Sequence, residues 1–368
     1  MTDPATEAQA GPAKATDTDP GTPTGTDTGA TGLDLGAVEA WLAATLPGFQ
    51  GPLEARKFAL GQSNPTFLLE TPAQRYVLRR KPPGVLLKSA HAVDREFRVQ
   101  KALAGSDVPV ARMLAYCDDP SVLGSEFYVM EHVEGRGFVD PRLPDMDADG
   151  RRSIYDEINR VLAAIHAVNL SDAGLSDYGP EGNYYRRQID RWIKQYRASQ
   201  TDEIADMEVL MRWLDENAPP DDGRRTLVHG DFRIDNLLFA PDAPRCAAVL
   251  DWELSTTGHP FADLAAVIMQ WRMPPGPEGR GLAGVDRKAH GLPEDEAFIA
   301  DYCRRTGVGG IENFNFYLAF CFFRMAAILQ GVRKRALDGN ASNPERAARM
   351  GTFVPRFAEG GVKAMRDA

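Results

Sequence analysis

Residues 226–253 read TLVHGDFRIDNLLFAPDAPRCAAVLDWE, and their spacing decides the fold of the chain around them. Thr226–Val228 is a short apolar strand that runs into a polar loop, His229-Gly230-Asp231-Phe232-Arg233-Ile234-Asp235. Residues 236–239 form the next strand, Pro241-Asp242-Ala243-Pro244 reverses it, and residues 246–250 return to end on Asp251. In an antiparallel hairpin the start of one strand lies beside the end of its partner. Asn236 and Asp251 therefore meet at one end, next to the loop that holds Asp231. A carboxylate with an amide oxygen suits Mg2+, which takes one or two protein ligands and leaves room for phosphate oxygens. The other carboxylate is then free to receive or orient a hydroxyl. Singly these residues mean little: a strand-end Asp is an ordinary turn former, and a lone His such as His229 an ordinary core residue. The order H-x-D-x(4)-N, followed by a strand and Asp, gives them a chemistry.

Outward from this stretch, residues 55–133 are rich in strands. Residues 56–60 and Thr66–Glu70 flank a polar turn, residues 76–79 are a further strand, and two more are expected at 111–116 and 126–131. A helix is expected over 89–103. From Gly135 onward helices dominate, at 151–168, Tyr184–Ser199, 203–217, Phe261–Trp271, 294–306 and 313–337. Near the start, Asp34 reads as the N-cap of a helix in which Leu35, Val38, Trp41, Leu42 and Leu46 recur at helical spacing. A small β-rich lobe ahead of a larger helical one is an α+β arrangement with a cleft between, where small-molecule sites form.

Residues 1–32 hold nine Thr, five Gly and four Pro but no Val, Ile, Leu, Phe, Tyr or Trp. Nothing there offsets the entropy of ordering, so a disordered tail is expected, with lobes over 33–133 and 134–368. The 368 residues are 43% hydrophobic and carry a net charge of -10, which disfavours nucleic acid and anionic membranes as partners. Five acids and one base in residues 1–32 account for much of that charge, so the rest can still present a basic pocket. Cys117, Cys246, Cys303 and Cys321 include no C-x-x-C pair, which argues for reduced, partly buried thiols over zinc or disulfides. The apolar run 316–323 stops at Arg324, short of the about 20 residues that a bilayer needs. The N-terminus has no signal-like basic and apolar regions. The expectation is a soluble cytoplasmic protein, monomeric or homodimeric, without membrane or nucleic-acid partners.

Together these motifs resemble the aminoglycoside phosphotransferase and choline kinase superfamily of small-molecule kinases, over residues 55–335. HGDFRIDNLLF at 229–239, AVLDWELSTTGHPFADLA at 248–265, and FFRMAAILQGV with GNAS at 322–342 are similar to one branch. That branch includes the kinase-like domain attached to certain acyl-CoA dehydrogenase family members. The resemblance implies a bilobal protein-kinase-like fold, ATP and Mg2+ as cofactors, and transfer of the γ-phosphate to a hydroxyl of a small molecule. It makes Asp231 the catalytic Asp, Asn236 and Asp251 the metal ligands, and Asp263 the brace of the catalytic loop. Arg233 stands where a guanidinium would neutralise charge near the transferring phosphate; the alternative is a solvated loop arginine. In Tyr76-Val77-Leu78-Arg79, Arg79 takes the place of the phosphate-binding Lys, with Lys81 a nearby competitor. Arg is always charged and grips phosphate bidentately. Glu96, in DREFRVQ, is the implied partner of that cation. Gly61, Ser63 and Asn64 lie where the phosphate-covering loop belongs, although alone they read as an ordinary hairpin turn. Residues 127–135 resemble the lobe hinge, with the backbone at Glu131 and Val133 placed for adenine.

The acceptor side reads two ways. Helix Tyr184–Ser199 carries Tyr185, Ile189, Trp192 and Tyr196 as an apolar stripe, flanked by Arg186, Arg187, Arg191, Lys194 and Arg197 with Asp190 the only acid. That is either a solvated basic face or a dock for an anionic substrate. Arg324, set in an apolar run, needs a partner, either a structural carboxylate or a substrate anion. An aminoglycoside polycation would meet a mainly acidic pocket, so the resemblance points instead to a hydroxyl on a fatty-acyl or similar carboxylate-derived acceptor. Two alternatives stand beside it: an aminoglycoside phosphotransferase, and a nucleotide-binding regulatory module with little turnover, motivated by Arg79. A metal-dependent phosphohydrolase needs more clustered His and Asp ligands than the sequence holds.

Overall fold

The computed structural model describes residues 32–58, 64–82, 91–276, 279–340 and 343–367. The expected tail, apart from Gly32, and the loop residues Gly61 and Ser63 lie outside the described residues. The chain opens with α1 (Leu35–Thr45), capped by Asp34, whose side chain accepts the Ala37 N–H at 3.0 Å. Then come β1 (Glu54–Lys57), β2 (Thr66–Glu70), β3 (Arg75–Arg80), α2 (Val93–Ala102), β4 (Met113–Cys117), α3 (Pro120–Leu123) and β5 (Phe127–Glu131). The five strands form one antiparallel sheet in the order β1-β2-β3-β5-β4. Val38 and Leu42 of α1 pack on Phe67, Leu69, Leu78, Phe127 and Val129 from the sheet, making the smaller of two cores.

The second half contains β6 (Arg136–Gly137), α4 (Ala148–His166), α5 (Tyr184–Ser199), α6 (Ala205–Glu216), β7 (Thr226–Val228), β8 (Leu237–Phe239) and β9 (Cys246–Val249). It continues through β10 (Thr256–Gly258), α7 (Phe261–Trp271), α8 (Arg287–His290), α9 (Asp295–Thr306), α10 (Phe314–Leu337), α11 (Pro344–Gly351) and α12 (Val354–Arg366). Long helices α5 and α7 occupy the bounds that their periodicity predicts. By length and composition α10 would cross a membrane, but 72% of its most apolar stretch is buried in the protein. It is a core helix, packed between α5, α7 and α12. Buried phenylalanines such as Phe320 each contribute about 1.5–3 kcal/mol there.

Two features join the lobes. Val99 and Leu103 of α2 belong to the larger, helical core rather than to the sheet's. Arg95 of α2 donates to the Tyr178 carbonyl at 2.8 Å and lies 4.1 Å from the centre of its ring. The four cysteines are buried and free.

Candidate active site

The hairpin of β8 and β9 performs the convergence that its spacing requires. Leu237 pairs with Val249, and the Leu250 N–H donates to the Asn236 carbonyl at 2.8 Å. A short helical turn over Ile234–Asn236 precedes β8, so Asn236 ends the loop and the strand begins one residue later than expected. The Asn236 amide nitrogen donates to the Asp231 carbonyl at 2.8 Å and to its carboxylate at 3.1 Å. That leaves the amide oxygen for a cation. Asp251 has φ 63 and ψ 60, a left-handed conformation that costs an ordinary residue about 1–3 kcal/mol and clusters at functional sites.

Asp263 braces the loop. Buried on α7, it accepts the N–H of His229 at 2.7 Å and of Gly230 at 2.9 Å. Burial pushes its carboxyl pKa up, but the hydrogen bond and charge of His166, with His229 and the Gly230 N–H, outweigh this and hold it below the ordinary range. His229 Nε2 lies 2.9 Å from the Leu250 carbonyl, while its Nδ1 accepts the Asp231 N–H at 3.3 Å, which assigns the proton to Nε2. His229 is a strut between the loop and β9. Gly230 has φ 87, and a Cβ there would fall 2.6 Å from the Leu254 carbonyl oxygen, so only glycine fits.

Burial raises the pKa of Asp231, with Arg233 and His229 opposing. Arg233 is not a solvated loop residue. Its Nε lies 3.5 Å from the Asp231 carboxylate and 3.1 Å from that of Asp235, which Arg280 also engages.

Across the cleft, Arg79 on β3 meets three acids. Its Nε lies 2.9 Å from Glu96, and its Nη2 lies 3.0 Å from Asp251 and 3.7 Å from Glu253. Glu96 is 1% exposed, and also accepts from the Tyr128 hydroxyl at 3.0 Å and the Asn64 amide at 2.8 Å. Asn64 thus helps hold Glu96, with its oxygen 3.0 Å from His91 Nδ1. Lys81 is out of contention, paired with Glu126 at 2.7 Å. Glu253 was not foreseen; its signal is the D-W-E spacing, two residues past Asp251. The cleft between these groups encloses about 1070 Å3 of space open to solvent, lined by Arg79, Tyr128, Met130, Val133, Asn236 and Asp251 among others. At its hinge side the Glu131 N–H is used by the Arg112 carbonyl at 3.0 Å. Among the described residues no group of three or more His, Cys, Asp or Glu side chains is placed to hold a metal. The donors available, the Asn236 amide and the Asp251 carboxylate, are hard oxygens in the small number that Mg2+ takes beside phosphates.

The basic face of α5 is largely used up. Arg186 pairs with Asp190 at 2.5 Å and Asp215 at 2.7 Å, Arg187 donates to the carbonyls of Pro180, Glu181 and Gly182, and Arg197 pairs with Glu208. Arg191 and Lys194 remain exposed. Two of its five cations, Arg186 and Arg197, are thus paired with carboxylates of the fold. Arg324 meets no carboxylate among the described residues; its Nη2 donates to the Gly230 carbonyl at 3.0 Å and its guanidinium lies 5.9 Å from the Trp192 ring centre.

A family model, described as phosphotransferase enzyme family, matches residues 54–309, from the sheet through α9. The chain belongs to the phosphotransferase enzyme family. The chain is 46% identical over 338 residues to acyl-CoA dehydrogenase family member 11 of Gallus gallus, covering 90% of this chain and 43% of that protein. It is 46% identical over 310 residues to acyl-CoA dehydrogenase family member 10 of Mus musculus, covering 84% of this chain and 29% of that one. The phosphotransferase thus spans less than half the length of these relatives. A solved structure from Ralstonia eutropha, with the provisional name aminoglycoside phosphotransferase, superposes with TM-score 0.84 at 48% identity, covering 91% of this chain and 99% of that one. The ternary complex of aminoglycoside phosphotransferase APH(4)-Ia with ADP and hygromycin B shares the fold, with TM-score 0.58 at 17% identity, covering 89% and 98%. The chain thus has the kinase-like α+β fold of that family.

Proposed function

We propose that this phosphotransferase is an ATP- and Mg2+-dependent kinase whose acceptor is a hydroxyl on a small carboxylate-derived molecule, such as a hydroxyacyl compound. The observation that carries the reading is the convergence of Asp231, Asn236 and Asp251 in one cleft, beneath the Arg79–Glu96 pair. Asp231 accepts the hydroxyl proton as the acceptor oxygen bonds to the γ-phosphorus and the bond to the β,γ-bridging oxygen breaks, releasing ADP. Arg233 and Arg79 place positive charge where the transferring phosphoryl group gathers negative charge. Asn236 and Asp251 would hold Mg2+, which neutralises phosphate charge. The acyl side of the proposal is supported by the relatives named as acyl-CoA dehydrogenase family members, at 46% identity over most of this chain.

One observation favours a second reading, a nucleotide-binding module with little turnover: Arg79 is bonded to Asp251, the residue that a metal needs. A screen for ADP release across hydroxy acids, hydroxyacyl thioesters and aminoglycosides separates these. The proposal expects release with a hydroxyacyl acceptor and its loss in Asp231→Asn. Release only with kanamycin-like polycations would replace the acceptor class. Mg-ATP binding without release from any acceptor would leave the regulatory module.

A further inference from the structure

Arg324, beside the catalytic loop, is paired with no carboxylate among the described residues. It projects from α10 toward α5, where Trp192 lies under its guanidinium, and one Nη2 donates to the carbonyl of Gly230, the residue before Asp231. A guanidinium has five N–H donors in a planar fork, and this bond uses one of them. Its charge also reaches Tyr184 and Cys321, and the buried carboxylate of Asp263, which holds the Gly230 N–H at 2.9 Å, acts on the same two groups. Burial pushes both pKa values up to about 12, against the opposing charge of Arg324, so both groups are neutral near pH 7. Asp263 is committed to the loop N–H groups, no carboxylate among the described residues pairs with Arg324, and a partly buried charge is costly unless an anion meets it. Contrast Arg186 and Arg197 on the same side of the molecule, each already satisfied by carboxylates of the fold. Leu254 stands on the other side of Gly230, and is half exposed.

We infer that Arg324, backed by Trp192, is the acceptor's carboxylate-binding subsite, so that the enzyme selects hydroxylated molecules that carry a carboxylate within reach of their hydroxyl. The fork's remaining N–H donors match a carboxylate's two oxygens, and the Trp192 ring lies 5.9 Å from the guanidinium. The bond to Gly230 fixes the subsite relative to Asp231, one residue on. This inference rests on the kinase reading above and adds the residue that reads the acceptor.

The test measures binding calorimetrically in the presence of Mg-AMP-PNP, using C4–C10 hydroxycarboxylates and their matched hydroxycarboxamides as probes. Wild type should bind at least one carboxylate about 10- to 100-fold more tightly than its carboxamide, the range expected for a charge-assisted pair. The preference should vanish in Arg324→Gln, return in part in Arg324→Lys, which keeps the charge but not the fork, and shrink with added salt in the wild type. A structural role in holding Gly230 would instead weaken both members of each pair equally. Equal binding of carboxylate and carboxamide, or a preference that survives Arg324→Gln, overturns the inference while the kinase reading stands. Failure of the wild type to bind Mg-AMP-PNP at all overturns the kinase reading, and the subsite falls with it.

Discussion

Two arginines flank the catalytic loop and differ in what answers their charge. Arg79, on the sheet side, is 13% exposed and lies among Glu96, Asp251 and Glu253. Arg324, on the helical side, has a carbonyl and an aromatic ring. Residue type alone does not separate them: both follow apolar residues, and both are permanently charged. What separates them is the balance of neighbouring charge. Three carboxylates, Glu96 from α2 and Asp251 and Glu253 from the segment after β9, surround Arg79, a setting ready for a metal and phosphates. Arg324 has no paired carboxylate among the described residues, a setting ready for an anion.

The strongest way to break this picture lies between the two faces. Asp231→Asn keeps shape and the contact with Asn236 but removes the proton-accepting charge, and should cut phosphoryl transfer by about 10²- to 10⁴-fold with nucleotide affinity retained. Steady-state ADP release beside calorimetric binding checks it; comparable turnover would make Asp231 a structural residue. In wild type the same group sets a pH limit. Burial raises its pKa and only the ionised form accepts a proton, so activity should fall on the acidic side, from a pH above that of an ordinary aspartate.

On the sheet side, Arg79→Ala leaves Glu96 buried with only the neutral donors Asn64 and Tyr128. Removing one partner of a buried pair costs about 3–5 kcal/mol, which denaturant unfolding would read. Arg79→Lys should recover much of that stability. An Ala variant as stable as wild type would show that the sheet side does not depend on its cation.

Asp263→Asn sharpens the comparison from beneath, since it loosens the loop that both arginines flank. Losing a charged acceptor for two N–H groups and His166 should cost about 2 kcal/mol at neutral pH. The sign with pH follows from its depressed pKa: the stabilisation is present above the unfolded value of about 3.9 and is lost as pH falls through the lower folded value. Thermal melts from pH 7 to 2 should therefore fall less steeply in the variant than in wild type. Parallel curves would refute this.

The smallest effect is expected at Arg191, on the exposed part of α5. Arg191→Glu should change acceptor KM less than about twofold, because exposed charges are screened by salt. A tenfold rise would restore α5 to the acceptor site.

How much of this was legible from the chain depends on the range of the interaction. Helices α5 and α7 follow from their own apolar periodicity, and the meeting of Asn236 with Asp251 follows from a hairpin of local pairings. Asn64 sits beside a turn that looks built for phosphate, yet its amide is committed to Glu96, 32 residues away. No local pattern encodes that bond. The partner of Arg324 is likewise non-local, since Gly230 precedes it by 94 positions. The helix α12 escaped notice because Gly360 and Gly361 weaken its propensity. Packing explains them: a Cβ on Gly360 would fall 2.6 Å from the Phe322 ring, and one on Gly361 2.7 Å from Leu210. The glycines let α12 approach α10 and α6 closely.

The central claim is that the hairpin end gathers one proton acceptor and one metal-ligand pair. It is tested most directly by the thermal shift that Mg-AMP-PNP produces in wild type, Asp231→Asn and Asp251→Ala. A ligand at 100 times its Kd stabilises by about 2.7 kcal/mol, a shift of several degrees for a domain of this kind. Wild type and Asp231→Asn should shift alike, and Asp251→Ala should lose most of the shift that depends on Mg2+. An undiminished Mg2+-dependent shift in Asp251→Ala would contradict the account.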